Sequence, residues 1–165
     1  MAASASFEEF YTATVDRLHG HLFLVTGDLH VAEEIVQEAF ARAAMRWSHL
    51  RDYDVPEAWV RRVAMNLAAD RARSLRRQAR AQLKLGPPPA VPAVSVQTLA
   101  LVQALRTLPV RQRQAIVLHY LADLPVQEIA QALAVPSGTV KSLLARGRRA
   151  LAAKLGEPEG VFDRA

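Results

Sequence analysis

Residues 124–151 read LPVQEIAQALAVPSGTVKSLLARGRRAL, and the fold follows from how this stretch is divided. Leu124 to Leu133 has helical spacing, with Ile129, Ala130 and Leu133 on one side. Ala134-Val135-Pro136 makes a tight turn, because proline cannot continue the helix before it. Ser137 is the expected N-cap of a longer helix that runs to about Leu155. Its apolar stripe is Val140, Leu144, Gly147 and Leu151, which faces the stripe of the first helix. Two short helices joined by a turn of three to four residues, the second one basic, form a helix-turn-helix.

The face opposite that stripe presents Thr139, Lys141, Ser142, Ala145, Arg146, Arg148 and Arg149. An α-helix fits the major groove of DNA, where its N-terminal residues meet base edges. Lys141, Ser142 and Arg146 are placed to reach bases, while Arg148, Arg149 and Lys154 are placed to grip the backbone. Ser137 and the free amides of the first turn can meet a phosphate. The plainer reading is a helical hairpin with a solvated face; cap, turn, stripe and charge together favour the DNA reading.

Upstream, Val110 to Leu121 and Leu99 to Leu108 read as two further helices, separated by Pro109. Residues 84–98 hold four of the nine prolines and read as an extended linker. Before it, Phe7, Phe10, Tyr11, Thr14, Val15, Leu18, Leu22 and Val25 mark one helix, broken at Gly27-Asp28. Asp28 can cap a second helix, His30 to Trp47, with Val31, Ile35, Val36, Ala39, Phe40 and Ala43 inward. A polar loop, Ser48 to Val55, precedes a third helix from Pro56 to about Arg80, with Trp59, Val60, Val63, Leu67 and Leu75 inward. The expected fold is all-α. Two small helical domains, 1–83 and 99–155, flank the linker 84–98, and a short tail covers 156–165.

Charge separates along the chain. The net charge is +5, yet residues 1–60 carry 10 acidic against 4 basic residues. Residues 58–84 then carry 8 basic residues against the single acid Asp70, and residues 136–154 carry five and no acid. Two basic stripes are the footprint of a polyanion binder, although a solvated arginine-rich surface gives the same composition. The third helix crowds Arg61, Arg62, Arg71, Arg73, Arg76, Arg77 and Arg80 beside Asn66 and Asp70, a density that repels itself unless a polyanion is near. The loop before it, Trp47 to Asp54, mixes aromatic and charged groups suited to holding an unstacked base. Trp47 reads better as a buried anchor of that loop, and Tyr53 reads equally well either way. By contrast Glu33, Glu34, Gln37 and Glu38 give the second helix an acidic face, which suits a basic protein partner or water.

Several classes are excluded or disfavoured. The absence of cysteine removes disulfides, thiol catalysis and cysteine zinc sites. No apolar run spans a bilayer and no basic, apolar leader is present, so membrane insertion is not expected and the cytoplasm is the expected compartment. His19, His21, His30, His49 and His119 form no His-Glu-x-x-His pattern and no glycine-rich phosphate loop exists, so neither an enzyme, a metal nor a cofactor is expected.

Three ordered motifs resemble the extracytoplasmic-function (ECF) sigma factors of bacterial RNA polymerase, within the sigma-70 superfamily. Residues 28–43, DLHVAEEIVQEAFARA, resemble the family's region 2 helix; residues 54–73, DVPEAWVRRVAMNLAADRAR, resemble its promoter −10 helix. Residues 124–151 resemble its region 4 helix-turn-helix, and the wording of residues 53–66 is most similar to the actinobacterial sigma-E branch. The resemblance covers about residues 7–155. It implies a promoter-specificity subunit whose partners are core RNA polymerase, through its clamp helices and flap, and promoter DNA. It implies polymerase binding by Glu33, Glu34, Gln37 and Glu38, and −10 recognition by His49, Arg51, Asp52, Tyr53, Arg61, Arg62, Asn66, Asp70 and Arg73. It implies −35 recognition by Thr139, Lys141, Ser142, Arg146, Arg148 and Arg149. The linker would thread near the active-site cleft and RNA exit path.

Three positions depart from the family pattern. Leu143 stands where arginine is frequent, Ala145 offers no long side chain to a base, and Ala44 stands where tryptophan is frequent. The tail after Leu155 is short, so a regulator such as an anti-sigma factor would be a separate protein. The rival reading is a stand-alone helix-turn-helix transcriptional regulator. It accounts for residues 99–155 and leaves Asp28 to Arg80 without a task.

Overall fold

Each helix begins where local chemistry satisfies its free amides. In the computed structural model, which describes residues 6–82 and 95–156, Ser6 and Glu9 close a capping box at the start of α1 (Phe7–Thr26). Gly27 ends that helix in the left-handed region at φ 71°, and Asp28 caps α2 (Leu29–Met45) by accepting from the amides of His30 and Val31 at 2.9 and 3.1 Å. The expected polar loop after α2 instead starts with a single helical turn, α3 (Trp47–Leu50), because Leu50 is pulled into the core. Pro56 opens α4 (Pro56–Gln82). Leu75, expected inward, is 49% exposed, because it lines an open cleft rather than a packed interface.

The second half starts earlier than expected. Ser95 caps α5 (Val96–Arg106) through Thr98, so residues 96–98 are helical rather than linker, and residues 84–94 lie outside the described residues. Then follow α6 (Val110–Tyr120), α7 (Val126–Leu133) and α8 (Ser137–Leu155). Ser137 is the first residue of α8 and makes no capping bond; Pro136 occupies the N-cap position. Ala134 takes the left-handed conformation, φ 53° and ψ 48°, which folds the chain sharply between α7 and α8.

Among the described residues there is no strand, and no helix is long and apolar enough to cross a membrane. One apolar cluster runs through both halves, from Leu18, Leu22, Phe40 and Met65 to Leu118, Ile129, Leu133 and Leu144. The halves join where α1 meets α5 and α6, and where α4 meets α6 and α7. Two polar side chains of α6 cross that junction. Gln114, fully buried, donates its Nε2 hydrogen to the carbonyl of Met65 at 2.7 Å. The Arg113 guanidinium donates to the carbonyls of Val25 in α1 and of Leu108 at the end of the α5–α6 turn. Neither residue stood out in the sequence. Gln114 interrupts an otherwise apolar stripe of Val110, Val117 and Leu118, and that interruption is the signal that would have found it.

Candidate nucleic-acid interface

The exposed face of α8 is set by what the other face buries. Val140, Leu144, Gly147 and Leu151 are buried against α6 and α7. Gly147 permits the close approach: a Cβ there would sit 2.8 Å from Cγ1 of Ile116, so any side chain would push α8 away from α6. The opposite face brings Thr139, Lys141, Ser142, Arg146 and Arg149 together on the surface. No carboxylate among the described residues pairs with Lys141, Arg146 or Arg149, and their charge is available to a phosphate or a base edge. Ser142 donates its hydroxyl back to the Gly138 carbonyl at 3.2 Å, which leaves it an acceptor outward. Arg148 is half-buried and donates to the Tyr120 hydroxyl at 3.3 Å, so its guanidinium is steered toward α6 rather than standing free.

Along α3 and the loop after it, Trp47 is an anchor as expected, and Tyr53, open to either reading in the sequence, is exposed. The Trp47 ring stacks on Phe10 at 4.9 Å and meets Phe7 edge-on at 5.5 Å. Tyr53 is 54% exposed, and His49, Arg51, Asp52 and Asp54 are exposed with it. Asp52, Tyr53, Asp54, Trp59 and Arg62 line a cavity of about 650 Å³, large enough for an unstacked base. Its far wall is Glu128 and Gln131 of α7.

On α4 the expected residues divide. Arg62, Asp70 and Arg73 are exposed, Asn66 is half-buried, and Asp70 accepts a hydrogen bond from Arg73. Arg61 departs from the expectation of a DNA-facing cation. It is only 9% exposed and bonds Glu57 Oε1 at 3.1 Å, while the other Glu57 oxygen takes Arg17 at 2.7 Å. Its charge is thus held inside an Arg–Glu–Arg cluster at the base of the helix. The α4 stripe is also crowded from the second half. Arg62 lines a surface hollow with Gln127, Ala130 and Gln131 of α7, and Arg111 of α6 sits beside Asp70 and Arg73. Partial burial pulls the Arg111 pKa below its usual value, and the Arg73 charge adds to that.

The acidic face of α2 is open. Glu33, Glu34, Gln37 and Glu38 are exposed and lie along one side. Gln37 donates to Glu33 at 3.3 Å and Glu38 pairs with Arg42 at 2.8 Å, which leaves the face negative overall. Below it, Ile35 and Leu67 floor a shallow groove between α2 and α4, edged by Glu34 and Glu38.

Comparisons with known proteins place the chain in a family. The family model for sigma-70 region 2 matches residues 10–78, and that for sigma-70 region 4 matches residues 98–151. The RNA polymerase sigma-E factor of Streptomyces coelicolor is 30% identical over 88% of this chain and 84% of its own length. The ECF RNA polymerase sigma factor SigM of Mycobacterium tuberculosis is 31% identical over 92% of this chain and 78% of its own. In fold, the chain resembles the sigma factor RpoE of Bartonella quintana, solved in complex with the anti-sigma factor NepR. That likeness has a TM-score of 0.76 at 21% identity and covers 96% of this chain and 98% of the other. With both regions in order and relatives aligned along most of their lengths, this chain belongs to the ECF RNA polymerase sigma factors, regulatory subunits that bind core polymerase and direct promoter-specific transcription initiation.

Proposed function

We propose that the two halves divide the reading of the promoter. Residues 1–83 hold core polymerase and the −10 element, and residues 99–155 hold the −35 element, with Lys141, Ser142 and Arg146 on base edges and Arg149 on the backbone. The observation that carries this is the unpaired basic face of α8, turned outward by a buried stripe on its other side. Arg148, steered onto Tyr120, contributes a phosphate contact once that weak bond is exchanged. The loop from His49 to Asp54 captures a −10 base, with Tyr53 as its stacking surface and the adjoining hollow as its seat. Unstacking costs a few kcal/mol per step, which stacking on Tyr53 and contacts from Arg62, Asn66 and Arg73 offset. Glu33, Glu34, Gln37 and Glu38 dock on a basic surface of the polymerase.

With α6 and α7 lying against α4, the −10 stripe and the −35 face belong to one closed body. Promoter engagement then requires the halves to part. Two elements bound by tethered modules gain affinity from the tether, provided the geometry allows both at once. An anti-sigma factor, such as the one bound to the Bartonella relative, is the class of regulator such a chain would meet. The test is reconstitution with core polymerase and sequencing of transcript starts. Start sites sharing two spaced elements are the expected result; tight duplex binding without polymerase and no initiation with it would favour the stand-alone regulator instead.

A further inference from the structure

The junction of the two halves contains a second cationic site, distinct from the DNA-facing surfaces. A cleft of about 550 Å³ opens between the α1–α2 corner, α4 and the α5–α6 pair. Four arginines line it: Arg71 and Arg76 from α4, Arg106 from α5 and Arg113 from α6. The one carboxylate among its described lining residues, Asp28, already accepts from the amides of His30 and Val31 as the cap of α2. None of the four arginines forms an ion pair with a described residue.

Two of these cations are held in place by the fold. Arg113 is fixed by the carbonyls of Val25 and Leu108, with Arg106 O a third acceptor at 3.4 Å. The stem of Arg106 is packed on Gly27, where a Cβ would come within 2.6 Å of its Cδ. Desolvation brings the Arg113 pKa down to about 10, and the charges of Arg106 and Arg76 add to the effect, as expected where cations converge without a counter-ion. Arg71 lies nine residues from Arg62, two and a half helical turns away, and so points to the side of α4 opposite that DNA-facing residue. Val31, Ala68, Ala72, Leu75 and Val110 supply an apolar floor.

We propose that this cleft binds a small anion carrying two or more phosphates, the guanidiniums taking the phosphates and the apolar floor taking any ring or chain attached to them. Guanidinium forks match phosphate oxygens in pairs, and the cleft volume is that of a small-molecule site. Because the lining comes from both halves, the bound anion favours the closed body over the parted one. Its effect on transcription rests on the sigma-factor reading given above; its binding does not.

The experiment is calorimetric titration of the full chain with pyrophosphate, tripolyphosphate and ATP at physiological salt, set beside Arg76→Ala, Arg106→Ala and Arg62→Ala. Saturable one-to-one binding of at least one probe is expected, weakened about tenfold or more by Arg76→Ala and by Arg106→Ala and left unchanged by Arg62→Ala. Arg76 is exposed and has no ion-pair partner among the described residues, so its loss reports on the site rather than on folding. Pyrophosphate binding as well as ATP would assign the site to the phosphates alone, and a clear preference for ATP would assign a nucleoside to the apolar floor; both support the proposal. No saturable binding of any probe up to about 5 mM, or equal weakening by all three substitutions, overturns it. Failure to initiate transcription with core polymerase would remove the sigma-factor reading and leave the titration result standing.

Discussion

Exchanging Gln114 for glutamate tests the junction between the halves with almost no change in volume. The amide now donates 2.7 Å to the Met65 carbonyl from a fully buried position. A carboxylate in its place turns an oxygen toward an oxygen and brings a charge out of water. Arg111, whose Nη1 lies 3.2 Å from Oε1, offsets part of that cost. Full burial alone raises a carboxyl pKa by up to about 3–5 units; with one guanidinium on the far oxygen we take a rise of about 2. Each unit corresponds to about 1.4 kcal/mol, which gives about 2.7 kcal/mol.

The sign follows from the direction of that shift. A glutamate whose folded pKa stands above its unfolded value near 4.3 binds more protons folded than unfolded between the two. Its penalty is absent below about pH 4, grows as the pH rises toward about 6.3, and is constant above that. The assay is the urea midpoint of Gln114→Glu against the parent at pH 4 and pH 8, each pair compared at its own pH. The expected deficit is small at pH 4 and about 2.7 kcal/mol larger at pH 8. A deficit below about 0.5 kcal/mol at both values, or one independent of pH, would refute the burial of this side chain between the halves.

The other expectations are briefer. Arg146→Ala should weaken holoenzyme binding to a cognate promoter by about 1–3 kcal/mol, most of it at one −35 position, as read from dissociation constants on a set of single-base variants. Glu34→Lys with Glu38→Lys should abolish retention on immobilised core polymerase while leaving the thermal midpoint within a few degrees, since both carboxylates are exposed. Tyr53→Ala should reduce permanganate reactivity of the −10 bases more than it reduces closed-complex formation; equal losses in both would contradict base capture. Burial, and secondarily the Arg61 charge, hold the His21 pKa below 6.5. The unfolded chain therefore takes up that proton first, stability falls as the pH drops below 6.5, and His21→Gln should flatten this part of the pH–stability curve in chemical denaturation.

The elements legible in the sequence are those whose cause is local. Asp28 caps α2 because an Asx side chain reaches amides two and three residues on, and Gly147 lies in the α8 stripe because helical periodicity puts it there. The α8 face was legible for the same reason: burying one side of a helix exposes the other. What could not be read was anything decided across long separations. The burial of Arg61 depends on Glu57, which i,i+4 spacing suggests, and also on Arg17 from another helix, which spacing does not suggest. The helical start at Val96 was hidden by its proximity to the prolines of residues 84–94, although Ser95 with Thr98 is a cap signal in its own right. That Trp47 is an anchor is legible from its place in the loop, yet its partners, Phe7 and Phe10, lie some 40 residues away, where no local pattern points to them.

The chemistry of the junction bears on how readily it parts. Apolar contacts between the halves gain from exclusion of water, but Arg113 is half-buried without a carboxylate, its Nε hydrogen unmatched among the described residues. A guanidinium held this way gives up hydration that three carbonyls restore incompletely; of these only Val25 lies across the junction, so opening releases that one bond and returns water to its two groups. Gln114 differs in that both its amide nitrogen and its oxygen are matched, by Met65 and Arg111, in an orientation that only one arrangement of the halves allows. The polar groups therefore fix the register of the closed body more than they strengthen it. On the proposals made above, an anion in the cleft and promoter DNA on α4 and α8 would pull such a body in opposite directions, each by no more than its differential affinity for the two arrangements.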